Sequence, residues 1–67
     1  MKNFASRLYE LRTERNLSQR ELARQLNISQ ATIARWEANS QIPNVNYAII
    51  IAKFFDVSTD YLLGITD

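Results

Sequence analysis

Three serines of this chain each stand between two aliphatic residues at the same spacing. One aliphatic residue directly precedes the serine and the other follows it four positions later: Leu17-Ser18 with Leu22, Ile28-Ser29 with Ile33, and Val57-Ser58 with Leu62. A serine before a helix can accept a hydrogen bond from a free backbone N–H of the first turn, while the flanking aliphatic side chains pack together as a hydrophobic staple. The pattern therefore predicts helix starts at residues 19, 30 and 59.

Other local signals supply the remaining helix boundaries. Apolar residues recur every third or fourth position over residues 4–15, and Asn16 can end that helix in the left-handed conformation. Pro43 favours the start of a fourth helix over residues 45–55, and Gly64 is typical of the position after a last, short helix. No segment requires a strand. The sequence predicts an all-α fold, a compact five-helix bundle.

The residue types present restrict the chemistry available to the chain. Its 67 residues include no cysteine and no histidine, which excludes disulfides, thiolate or imidazole metal ligands and Cys/His nucleophile pairs. The serines above stand where caps are needed, and a single glycine leaves no glycine-rich phosphate loop. We therefore expect one domain over residues 1–67 that is not an enzyme and holds no metal or cofactor.

The charges are unevenly divided along the chain. Residues 1–37 carry seven Lys/Arg and four Glu, a balance of +3, whereas residues 38–67 carry one Lys and three Asp, a balance of −2. On the first helix, Arg7, Glu10 and Glu14 are typical of a solvated face. No apolar stretch reaches the length of a signal peptide or a membrane span, so the sequence predicts a cytoplasmic protein without membrane association.

The connection between the second and third helices is short. Residues 19–26 and 30–37 are separated only by Asn27, Ile28 and the cap Ser29. This spacing requires a tight corner, as in a helix-turn-helix, where the second helix lies in the DNA major groove and the first crosses the backbone. A plain corner between two core helices would have the same spacing.

The outward face of the third helix favours the DNA-binding interpretation. At 100° per residue, Ile33 and Trp36 point inward, whereas Gln30, Ala31 and Arg35 are exposed. Glutamine can bond adenine, alanine can touch a thymine methyl, and arginine can bond guanine through two donors. These residues predict a base-reading surface, although each alone is also typical of a solvated face.

Three stretches of the chain resemble the Cro/CI-type helix-turn-helix family, also called the xenobiotic-response-element family, which has a lambda-repressor-like fold. They are residues 17–23 (LSQRELA), 28–37 (ISQATIARWE) and 57–64 (VSTDYLLG). The resemblance implies a double-stranded DNA partner and transcriptional regulation, with repression expected rather than activation. It also implies a bacterial or phage-encoded protein that is associated with the nucleoid when bound.

The same resemblance implies roles for individual residues. Arg12 and Glu37 match an ion pair that ties the first helix to the end of the recognition helix, and Glu37 lies near the inward face, so we expect the pair to be partly buried. Asn27 replaces the usual glycine of the turn and can still adopt positive φ at some cost. The residues expected to face bases are Gln30, Ala31, Thr32, Ala34 and Arg35. The residues expected to contact phosphates are Gln19, which also braces the recognition helix, Ser29, Asn39, Ser40 and Asn44.

A protein-interaction module, such as an antitoxin-like regulator, is the alternative, and the fourth helix is the reason. Its predicted core face is Val45, Ala48, Ile49, Ala52 and Phe55. A second apolar stripe, which either packs within the chain or forms an interface, consists of Tyr47, Ile50 and Phe54. Because one recognition helix reads few base pairs, we expect a weak, DNA-assisted homodimer on a palindromic operator. Its contact is expected at or near Tyr47, Ile50, Phe54, Tyr61 and Ile65.

Overall fold

A computed structural model describes residues 3–66 of the chain. Over this range it forms five helices and no strand: α1 Phe4–Glu14, α2 Gln19–Leu26, α3 Gln30–Glu37, α4 Val45–Phe55 and α5 Thr59–Leu63. The predicted all-α five-helix fold is therefore confirmed. Within the described range, every helix is too short or too polar to cross a bilayer, and acidic side chains form no cluster suited to a metal ion.

Each of the five helices begins at a side chain that caps it. Ser18, Ser29 and Ser58 each accept a hydrogen bond from the backbone N–H three residues later, as the sequence predicted. Asn3 and Asn44 cap α1 and α4 in the same way. The starts are thus determined by local sequence, because a short polar side chain satisfies backbone donors that the helix leaves free.

Each helix is followed by one residue in the left-handed region. These residues are Asn16 (φ 58°), Asn27 (58°), Asn39 (61°), Asp56 (57°) and Gly64 (77°). A left-handed conformation is unfavourable for most residues with a side chain, and Asn and Asp tolerate it best. The chain therefore makes its turns almost without glycine, and Asn27 adopts the positive φ expected of it.

One core receives side chains from all five helices. The largest fully buried side chains are Leu8, Leu22, Ile33, Trp36, Ile51 and Leu62. Three of them, Leu22, Ile33 and Leu62, are the second aliphatic residues of the three staples. The ring of Trp36 lies between those of Phe4 and Tyr47, with centroids 5.9 and 5.8 Å away. This packing fixes the inner face of α3 and so decides which of its residues point outward.

The predicted core face of α4 was wrong at two positions. Val45 and Ile49 are 73% and 39% exposed, whereas Ile51, which was not predicted, is fully buried beside Phe55. This helix is apolar on more than one side, and Ile51 and Phe55 are the side chains that fill the core. A rotation that buries them turns Val45 and Ile49 toward solvent.

The predicted second stripe of α4 does not form a separate surface. Tyr47 and Phe54 are half-buried and pack against the core cluster, and the Phe54 ring meets the Phe55 ring edge-on at 4.9 Å between centroids. Only Ile50, at 46% exposure, faces solvent. Ile50 is therefore the one residue of the three whose side chain is largely open to a partner.

Arg7 of α1 and Arg15, which directly follows α1, hold other helices in place. Arg7, expected on a solvated face, is only 5% exposed; its guanidinium carbon lies 3.9 Å from the centroid of the Tyr61 ring. Arg15 donates to the carbonyl oxygens of Phe54 and Phe55 at 3.2 and 3.1 Å. That end of α4 carries the negative end of the helix dipole, which favours a cation. The expectation for Arg7 was wrong because its long side chain reaches across to α5.

Candidate nucleic-acid interface

The corner between α2 and α3 is fixed by backbone hydrogen bonds as well as by packing. The N–H of Asn27 donates to the carbonyl oxygen of Arg24 at 3.2 Å, and that of Ile28 donates to Ala23 at 3.0 Å. Ser29 then caps α3 at once, its Oγ accepting from the Thr32 N–H at 3.2 Å. The two helices therefore have the connection that the short spacing predicted.

The structure brings Arg12 and Glu37 together in a two-point contact. Nε of Arg12 lies 2.6 Å from Oε2 of Glu37, and Nη2 lies 2.9 Å from Oε1. The two side chains are 11% and 6% exposed. The hydrogen bond to Glu37 raises the pKa of Arg12, outweighing the opposite effect of burial. Arg12 also donates from Nη1 to the carbonyl oxygen of Leu17 at 2.7 Å, so one guanidinium joins α1, the α2 entry and the end of α3.

Gln19, the first residue of α2, is part of the same network. Its Nε2 donates to Oε1 of Glu37 at 3.1 Å, the oxygen that also accepts from Arg12. The side chain is half-buried. Gln19 is thus held between the first turn of α2 and the last turn of α3, as the expected bracing role requires, and its amide oxygen is not used in that bond.

The five residues expected to face bases divide by exposure. Gln30, Ala31 and Arg35 are exposed, while Thr32 and Ala34 are half-buried beside them. The opposite face is occupied by Ile33 and Trp36, which are 0% and 1% exposed. The outward surface of α3 therefore carries the side chains that the sequence placed there.

Arg35 is held by two acceptors of the chain. Its Nε donates to Oε1 of Gln41 at 2.9 Å, and its Nη2 lies 3.4 Å from Oγ1 of Thr32. Thr32 in turn shares a hydrogen bond with Ser29, 2.8 Å between the hydroxyl oxygens. Sequence reasoning missed Gln41, because it lies in a loop where no periodicity or cap indicates a partner.

The remaining residues expected at phosphates all have local roles as well. Ser40 donates from Oγ to the carbonyl oxygen of Arg35 at 3.1 Å, which uses the one proton of its hydroxyl. Asn44 accepts from the Tyr47 N–H at 2.9 Å through Oδ1, so its Nδ2 is not part of the cap. Ser29, Asn39, Ser40 and Asn44 are all exposed.

Few of the cations in the basic half of the chain are available to a ligand. Arg7 and Arg12 are buried, and Arg15 is engaged with the end of α4. Lys2 lies outside the described residues. The exposed cations of α2 and α3 are Arg20, Arg24 and Arg35, so the balance of +3 overstates the charge that this surface can offer to phosphates.

The residues expected at a protein contact differ in their exposure. Tyr61 is half-buried under the Arg7 guanidinium. Ile50 and Ile65 are exposed. Two further aliphatic residues that were not expected at a contact are also exposed, Ile42 at 75% and Val45 at 73%.

Comparison with known proteins agrees with this geometry. A helix-turn-helix family model matches residues 8–62. The HTH-type transcriptional activator BcrR of Enterococcus faecalis is 43% identical over 61 residues, covering 91% of this chain and 30% of its own length. The uncharacterized HTH-type transcriptional regulator YobD of Bacillus subtilis (strain 168) is 36% identical over 64 residues, covering 96% of this chain and 57% of its own. The chain therefore spans less than two thirds of either relative.

A solved structure shows the same fold. It is the P22 c2 repressor protein in complex with a synthetic operator, which superposes with a TM-score of 0.86 at 25% identity and covers 94% of this chain and 96% of the repressor chain. The family model covers most of the chain, and the relatives and this structure agree with it. The chain belongs to the Cro/CI-type helix-turn-helix family.

Proposed function

We propose that this chain is the DNA-binding part of a transcriptional regulator and reads a specific double-stranded sequence with α3 in the major groove. The observation that carries the proposal is the outward face of α3, where Gln30, Ala31 and Arg35 are exposed on a helix whose opposite face is fully buried. Side chains of these types distinguish base pairs in the major groove.

The contacts to the DNA backbone come from the residues around α3. The first-turn N–H groups of α3 and the Ser29 hydroxyl form a site suited to a phosphate, because a helix N-terminus favours an anion. Gln19, at the N-terminal end of α2, is held by Glu37. Asn39 and Asn44 supply neutral donors, whereas the N–H and the hydroxyl of Ser40 both donate to the carbonyl oxygen of Arg35, so Ser40 reaches a phosphate by exchanging its hydroxyl bond.

Repression is the proposed outcome of binding. Occupying an operator excludes other proteins from the same DNA with no further contact, whereas activation requires a second surface. The P22 c2 repressor supports this choice, and BcrR, an activator, argues for the other. The family and the bacterial relatives also support a bacterial or phage-encoded cytoplasmic regulator without enzymatic activity.

A weak homodimer on a palindromic operator is the proposed assembly. Three or four side chains of one recognition helix specify only a few base pairs, so two copies related by a two-fold axis are needed for a longer site. The exposed aliphatic residues Ile42, Val45, Ile50 and Ile65 support a contact. The same residues support the second candidate, a contact with a different protein in an antitoxin-like regulator.

Titration of labelled duplexes tests DNA binding directly. A duplex selected from random DNA should compete with the labelled site far better than its scrambled counterpart. Gln19→Ala should weaken binding to all duplexes several-fold, since it removes a backbone contact worth about 0.5–1.5 kcal/mol. Gln25→Ala, an exposed glutamine of the same helix, is the matched control and should bind as the parent does. Equal binding to matched and scrambled duplexes would contradict the proposal.

A further inference from the structure

We propose that Gln41, in the loop after α3, sets the orientation in which Arg35 reads its base and so contributes to base specificity without touching the base. The inference rests on the proposed function, in which Arg35 is a base-reading residue. Gln41 is then a positioning residue, acting through the guanidinium that it holds at 2.9 Å.

The two bonds to Arg35 fix the plane of its guanidinium. A guanidinium is planar and has five N–H donors in a rigid arrangement. One donor, on Nε, goes to Gln41 and one, on Nη2, goes to Thr32. Three donors remain, two on Nη1 and one on Nη2, and two neighbouring donors of this kind can meet O6 and N7 of a guanine.

The loop that carries Gln41 is itself tied to the end of α3. The N–H and the Oγ of Ser40 both donate to the carbonyl oxygen of Arg35, at 3.0 and 3.1 Å. The backbone of Asn39 is in the left-handed region at φ 61°, and its N–H donates to the carbonyl oxygen of Trp36 at 3.1 Å. Gln41 therefore follows a folded turn, and its amide is presented to Arg35 by backbone that the chain already holds.

Holding Arg35 before DNA arrives strengthens its discrimination between bases. An exposed arginine has many rotamers, and ordering it on binding lowers affinity for every base. A side chain fixed in one plane meets the correct acceptors without that cost and misaligns with the wrong ones. Because the Gln41 acceptor is neutral, it orients Arg35 without cancelling its charge.

The test compares base preference at the Arg35 position, measured as relative affinity for four duplexes that differ in one base pair of the selected site. Gln41→Met removes the acceptor at similar length and should reduce the preference about three- to tenfold, the effect of one hydrogen bond. Gln41→Glu retains an acceptor; it should lower affinity for all four duplexes through its charge and keep the ratio between them. Gln25→Met is the matched control and should leave the ratio unchanged.

A second comparison separates this inference from the proposed function. In an Arg35→Ala background, Gln41→Met should cause no further change in the ratio, because nothing remains to be positioned. If the parent and Arg35→Ala differ in preference while Gln41→Met equals the parent, or sharpens the preference, the role of Gln41 is overturned and the proposed function stands. If the parent shows no preference among duplexes, the proposed function itself fails.

Discussion

At the residue scale, the contact between Arg12 and Glu37 has the largest expected effect on stability. Both side chains are almost completely buried. Removing either one would leave the other as an isolated buried charge. Losing one partner of a buried pair costs about 3–5 kcal/mol, whereas replacing both by apolar residues can be nearly neutral. A domain of this size has only about 3–5 kcal/mol of stability in total.

Arg12→Met and Glu37→Met should therefore each be largely unfolded at 25 °C, while the double variant should remain folded. Urea unfolding of the parent and these three variants, followed by far-ultraviolet circular dichroism, gives the coupling free energy. Additive losses, with the double variant the least stable of the four, would contradict this account and indicate a weak, solvent-screened pair.

At the scale of the helix, the start of α2 depends on the charge of Glu21. Its Oε1 accepts from the Ser18 N–H at 2.9 Å, while the Ser18 Oγ accepts from the Glu21 N–H at 3.0 Å. The hydrogen bonds with the backbone and side chain of Ser18 lower the pKa of Glu21 from its ordinary value of 4.5. A lowered pKa in the folded state means that the ionised form stabilises the protein above pH 4.5 and that this stabilisation is lost as the pH falls further.

The midpoint of urea unfolding should show this pH dependence. The stability difference between the parent and Glu21→Gln should be constant at neutral pH and should shrink as the pH falls below 4.5, since the carboxylate that distinguishes the two proteins is then progressively protonated. Glu14→Gln, an exposed glutamate at the other end of a helix, serves as the control. A difference that does not change with pH would show that the carboxylate charge does not act at this cap.

Helix starts could be predicted from the sequence and the rotation of α4 could not, for a physical reason. A cap such as Ser29 acts within one turn, so its signal is contained in a few neighbouring residues. The face that α4 buries depends on which side chains fill the core, and Ile49 and Ile51 are equally apolar in the sequence. Arg15 was missed for a related reason, because its contact at the end of α4 lies 39 and 40 residues away along the chain.

The candidate site follows the same division. The outward residues of α3 were predicted from helical periodicity, since Ile33 and Trp36 fix the inward direction. The bond between Arg35 and Gln41 was not, because it joins a helix to a loop whose path depends on Ser40 and Asn39. The sequence pattern therefore predicted which residues of α3 face outward, and only the fold shows that Gln41 holds one of them, Arg35.

At the scale of the whole molecule, the distribution of cations predicts a shallow salt dependence of DNA binding. Arg20 and Arg24 are exposed on α2 and are suited to phosphates, whereas the arginines of α1 are committed to the fold. Each neutralised phosphate contributes about −0.9 to the slope of log affinity against log salt. With two such arginines, we expect a slope of about −2 for each domain bound. A slope steeper than about −4 for each domain would mean that other cations reach the backbone.

Assembly on DNA is tested by stoichiometry on a selected site. Two copies should bind a palindromic site cooperatively, and Ile50→Glu should abolish cooperativity while keeping half-site binding, since Ile50 is 46% exposed and its loss should not unfold the chain. Thr13→Glu, which adds the same charge to the exposed face of α1, is the control. A tight one-to-one complex on a non-palindromic site would refute the dimer. Unchanged cooperativity in Ile50→Glu would move the contact to the region of Ile65.

The central claim is that α3 reads base sequence, and the most direct measurement compares the sequences that the parent and Arg35→Ala select from random DNA. The parent should recover a defined half-site. Arg35→Ala should recover the same half-site with the preference lost at one position, and it should bind the parent's site about 1–3 kcal/mol more weakly. Selected sequences that are indistinguishable between the two proteins would contradict the assignment of α3 as the reading helix.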